Sequence, residues 1–77
     1  MGVITVIVTY SASGQAAAGK KVGASVSAGG MVSDQRTDSN GKAVLTWDSD
    51  RSLEKIFVDG RSHSGPFRSG ITKHFNC

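Results

Sequence analysis

Every residue from Val3 to Thr9 is β-branched, and Tyr10 closes the run with an aromatic ring. Side chains of this kind lose rotamer freedom in a helix and pack well on a pleated surface, so Val3 to Tyr10 reads as a strand. Both of its faces carry apolar groups, which places it well inside a sheet assembly or at the contact between two sheets.

The segments that follow repeat the theme in shorter form. Ser11 to Gln15 breaks the run with small turn-forming residues. Ala16-Ala17-Ala18 is far too short for a helix, because isolated helices are marginal in water below about 12 to 15 residues. From Lys21 to Ala28 the pattern alternates, with Val22, Ala24, Val26 and Ala28 on one face and Lys21, Gly23, Ser25 and Ser27 on the other. That is a half-buried strand. Gly29-Gly30 ends it, Met31 to Thr37 forms a polar strand, and Asp38-Ser39-Asn40-Gly41 supplies a hairpin turn, since Asn and Gly both tolerate positive φ.

Lys42 to Trp47 is the next strand, with Ala43, Leu45 and Trp47 on one face. Trp47 is predicted to contribute most to the core, because an indole buries on the order of 200 Å². Asp48 to Ser52 is a polar loop and Leu53 to Val58 a further strand, and Asp59-Gly60 is a second two-residue hairpin signal leading into Arg61 to His63. Pro66 marks a break, after which Ile71, Lys73 and Phe75 share one side of a terminal edge strand. The expected core includes Val22, Val26, Leu45, Trp47, Ile56 and Val58. Six to seven short strands, punctuated by turns and lacking crossover helices, predict an all-β fold, a small β-sandwich or small barrel occupying residues 1–77 as a single domain.

Size and charge narrow the function classes. A chain of 77 residues has room for one modest core, and its single cysteine, Cys77, allows no internal disulfide to reinforce it. No apolar stretch approaches the roughly 20 residues of a membrane span, and no basic segment precedes the apolar run. Neither a signal peptide nor an anchor is expected, and the protein stays inside the cell if Met1 is its native start. The net charge of +3 is uneven: residues 1–60 balance, whereas residues 61–77 hold Arg61, Arg68 and Lys73 and no acid.

Four chemical motifs come close and fail on a named residue. Gly14 to Lys20 matches seven positions of a phosphate-binding loop, but Lys21 stands where a magnesium-binding hydroxyl belongs and a strand follows where a helix is required. A calcium loop with Gly41 at its sixth position would begin at Arg36 and end at Trp47, where carboxylates are needed; Asp38 instead fits an Asx-type turn. The pair His74 and Cys77 lacks a second pair to complete a zinc site, with His63 the one remaining soft ligand. No serine sits in a nucleophile elbow. No cofactor, metal or catalytic residue is therefore assigned. The C-terminal stretch mixes cations with aromatics, and Arg61, His63, Phe67, Arg68 and Lys73 are its candidate surface-binding residues.

Gly14 to Gly19, Val22-Gly23-Ala24-Ser25-Val26 and Thr37-Asp38-Ser39-Asn40-Gly41-Lys42-Ala43-Val44-Leu45 together resemble the signature of bacterial immunoglobulin-like and carboxypeptidase-regulatory-like domains of the prealbumin type. The resemblance covers Val3 to Trp47. It departs from the pattern in having alanine where proline is common, and in lacking the later Gly-x-Tyr strand. It implies an immunoglobulin-like or prealbumin-like sandwich that serves as a spacer, adhesion unit or accessory module, often outside the cell, without catalysis. The transthyretin-like hydroxyisourate hydrolases are similar in architecture but end in Tyr-Arg-Gly-Ser, which this chain lacks. The expected function is a noncatalytic binding or structural module, contacting another protein or its own copy through a strand edge. The alternative is a small basic nucleic-acid-binding protein using the C-terminal segment.

Overall fold

The β-branched run becomes β1 (Gly2–Thr9), the middle strand of a three-stranded sheet. Its even-numbered residues Ile4, Val6 and Val8 are buried, whereas Thr5, Ile7 and Thr9 are half-buried and Val3 is exposed. The computed structural model describes residues 2–27, 29–48 and 51–76; Met1, Ala28, Ser49, Asp50 and Cys77, and with them Cys77 as a thiol or metal ligand, lie outside the described residues.

Six further strands follow: β2 (Lys21–Val26), β3 (Met31–Arg36), β4 (Lys42–Trp47), β5 (Leu53–Val58), β6 (Arg61–Phe67) and β7 (Thr72–Asn76). Among the described residues they and β1 form two sheets, ordered β4-β1-β7 and β3-β2-β5-β6, and the fold is an all-β sandwich of seven strands. All pairings are antiparallel except β1 with β7, which run parallel with Thr5 beside Thr72 and Thr9 beside Asn76. No helix among the described residues is long and apolar enough to cross a membrane.

The core lies between the sheets. Val22, Val26, Leu45, Trp47, Ile56 and Val58 are all buried in it, together with Ile4, Val6, Val8, Ala17, Ala24, Val32, Ala43, Leu53 and Phe67. Trp47 anchors one end, its indole N–H donating to the Arg51 carbonyl at 2.9 Å. Gly2 makes that position possible, since a Cβ there would lie 2.0 Å from the indole.

Three sequence expectations need correction. Asp59-Gly60 does close a two-residue hairpin between β5 and β6, both residues at positive φ. Asp38 to Gly41 does not: β3 and β4 belong to different sheets, so this turn carries the chain around a corner of the sandwich, with Gly41 alone at positive φ. Pro66 does not break the chain but lies within β6, tolerated because an edge strand needs no N–H on its open side. Phe67 is 6% exposed and part of the core, so it offers no ring at the surface for a partner. Its place at the end of a strand paired with Leu53, a buried core residue, pulls it inward.

The corner turn is held from both sides. Asp38 Oδ1 accepts from the backbone N–H groups of Asn40 and Lys42, both at 2.9 Å, and these bonds hold the Asp38 carboxyl below its ordinary range, aided by the Lys42 charge. Just before it, Thr37 is buried; its hydroxyl accepts from the Lys20 N–H at 2.9 Å and donates to the Ala17 carbonyl. Ala17 is also buried, which ties the loop between β1 and β2 to this corner.

Candidate functional site

The expected surface-binding residues do not all converge. Arg61 and Phe67 stand at opposite ends of β6, about 20 Å apart by strand rise, and exposed Arg68 lies in the turn beyond. His63, Phe67 and Lys73 do meet around Phe75: the His63 and Phe75 rings are 4.4 Å apart, Phe67 meets Phe75 edge-on at 6.0 Å, and Lys73 Nζ sits 5.9 Å from the Phe67 ring. This cluster seals the side of the sandwich between β6 and β7. His63 Nε2 is buried there without a hydrogen-bond partner among the described residues. His74, opposite Ile7 in the register, points from the outer face of the other sheet, so the two histidines do not share a site.

A concavity of about 260 Å³ opens on the outer face of the four-stranded sheet, lined by Lys21, Gly23, Asp34, Phe57 and Gly60. It falls short of the roughly 300 to 1,000 Å³ that small-molecule sites occupy. Its form has a local cause. Lys21 and Asp34 pair at 3.2 Å across the β2–β3 ladder, and the Asp34 carboxylate fills the space where a Cβ on residue 23 would stand, 2.2 Å away. Both walls are exposed, and such surface pairs contribute little to stability.

The strand edges differ more sharply. An open edge offers unpaired N–H and C=O groups to another chain, and proteins blunt it with proline, bulges or inward-pointing charges. The β3 edge has a register shift opposite Val22/Ala24 and carries Asp34 and Arg36. The β6 edge has Pro66 and a register shift opposite Leu53/Lys55. The β7 edge has Lys73 on the same side as Phe75, leaning over Phe67. The β4 edge has none of these: between Ala43 and Trp47 it holds no charge, no proline and no register shift.

Which β4 groups face that edge follows from one bond. In an antiparallel ladder, alternate residues direct both backbone groups to opposite sides. Val8 N–H donates to the Gly41 carbonyl at 2.8 Å, which continues the β1–β4 register and assigns Ala43, Leu45 and Trp47 to β1. Lys42, Val44 and Thr46 therefore turn their backbone outward. Lys42 is already occupied, its N–H donating to Asp38 Oδ1 and its carbonyl accepting from the Asp38 N–H, each at 2.9 Å. Among the described residues Val44 and Thr46 are left as the edge, and the Val44 side chain is 44% exposed beside them.

Comparison with protein-family models gives no match, and neither do searches of curated proteins and of solved structures.

Proposed function

We propose that this protein is a noncatalytic interaction module of the prealbumin-like type that contacts another protein chain through the β4 edge. The observation that carries the reading is the contrast among the edges: three bear a device that discourages pairing along their length, and β4 bears none between Ala43 and Trp47. Strand addition to such an edge draws its affinity from main-chain hydrogen bonds and its selectivity from alternate side chains. Strand order supports the prealbumin-like choice over the immunoglobulin-like one. Strands one, four and seven share a sheet here, whereas the constant-type immunoglobulin sandwich joins the first strand to the second, fourth and fifth.

Nucleic-acid binding through the C-terminal segment has less support. Phe67 is in the core and offers no exposed ring on which a base could stack. Photo-crosslinking from residue 44 in cells expressing the chain tests the proposal, with residue 62, on the outer face of the other sheet, as reference. Protease-sensitive adducts of defined mass from position 44 alone are expected. Nuclease-sensitive adducts, or equal labelling from both positions, would contradict it.

A further inference from the structure

The β4 edge complements itself, and we infer that a second copy of this chain is its partner, paired strand to strand about a two-fold axis at Leu45. The inference rests on the reading of β4 as the contact edge. Antiparallel pairing centred on Leu45 sets Val44 opposite the second copy's Thr46, and Thr46 opposite its Val44. These are the two residues whose N–H and C=O groups face outward, so the symmetric pair forms four hydrogen bonds and consumes all eight edge groups. No other centre within the strand does this while keeping both buried faces on one side of the extended sheet.

Side chains agree with the same register. On the inner face, Ala43 lies opposite Trp47, a small residue against the largest one, and Leu45 meets its own counterpart. On the outer face, two β-branched side chains face each other where Val44 meets Thr46, a favourable cross-strand pair. Beyond them, extending the register one residue past β4 sets Lys42 opposite Asp48 once at each end; both are exposed, and Lys42 also lends its charge to Asp38. Centring the pair on Val44 instead would lose both charge pairs and set Thr46 opposite Lys42, whose backbone groups are already occupied. Asp38 further defines the length of the contact, because it occupies the backbone of Lys42 and so stops the ladder at Val44. The product is one six-stranded sheet, ordered β7-β1-β4 and then its two-fold mate.

A contact of this size is small, and weak interfaces bury less than about 1,200 Å², so dimerisation is expected at high micromolar concentration. Sedimentation velocity with reductant present, which excludes a Cys77 link, is expected to show the 8.0 kDa chain doubling in mass as concentration rises toward the millimolar range. Thr46→Pro removes one donor from each protomer at a position whose N–H faces outward; it is expected to raise the dissociation constant at least tenfold while leaving the circular dichroism spectrum unchanged. The decisive arm uses two charge variants. Lys42→Asp and Asp48→Lys should each be monomeric alone, since each sets like charges together twice, and an equimolar mixture should dimerise because both pairs become complementary. A wild-type chain that remains monomeric to about 1 mM, or variants whose mixture shows no recovery, overturns the inference. If residue 44 still crosslinks to a different protein in that event, the interaction-edge reading stands and only the identity of the partner falls; if it crosslinks to nothing, both fall.

Discussion

Two turns in this molecule begin from nearly the same letters and do different work. Asp59-Gly60 folds β5 back onto β6 within one sheet, and Asn40-Gly41 passes the chain from β3 in one sheet to β4 in the other. The hairpin is open: both residues take positive φ, nothing lies within 4 Å of where a Cβ on Gly60 would stand, and its outside ties are the Asp59 N–H donating to the Lys21 carbonyl at 2.8 Å and an exposed Lys20–Asp59 pair at 3.7 Å. The corner is crowded. A Cβ at Gly41 would lie 2.4 Å from the Val8 carbonyl, Asp38 clamps two amides, and the buried Thr37 hydroxyl bridges to the preceding loop. A turn dipeptide thus sets local backbone conformation, while its surroundings decide where the chain goes next.

The contrast can be tested by weakening each turn in the same way. Gly41→Ala should destabilise by about 3 kcal/mol, combining the cost of a Cβ at positive φ with a clash against backbone that cannot move aside. Denaturant unfolding reads this directly, and a loss no larger than that of the hairpin variant would erase the distinction. Thr37→Val keeps the shape but leaves a buried carbonyl and amide without partners, for a loss of about 2 kcal/mol by the same measurement. Gly60→Ala should cost only about 1 kcal/mol, the conformational part alone.

The smallest effect concerns acid. Because the Asp38 carboxyl titrates below its ordinary value of 3.8 in the folded chain, its contribution is complete above that value and fades as pH falls through the lowered one. Between about pH 5 and pH 2 the wild type should lose more thermal stability than Asp38→Asn, which keeps an acceptor but has no charge to lose. Parallel melting curves for the two proteins would refute the clamp.

The strands themselves were readable because their signals are local. Val3 to Thr9 is β-branched throughout, and the alternation of Val22, Ala24 and Val26 or of Ala43, Leu45 and Trp47 states which face goes inward. What escaped depends on contacts distant in sequence. Nothing near Gly2 announces that it must leave room for the indole of Trp47, and nothing near Asn40-Gly41 says that its two strands part company. Phe67 follows Pro66 in a stretch rich in serine and arginine, and only its pairing with Leu53 explains its burial. The candidate edge was half legible. Lys42 and Asp48 are visible from the start, but their relation to Leu45 gains meaning only once β4 is known to be the outermost strand of its sheet.

The parallel pairing of β1 with β7 has a mechanical consequence. β1 begins at Gly2 at one end of the sandwich, and β7 finishes at Asn76 beside Thr9 at the other, a separation of about 23 Å along the strands. Tension applied to the two ends would draw these neighbours lengthwise past each other, so their hydrogen bonds share the load in shear. An antiparallel pair held at adjacent ends would open like a zipper, one bond at a time.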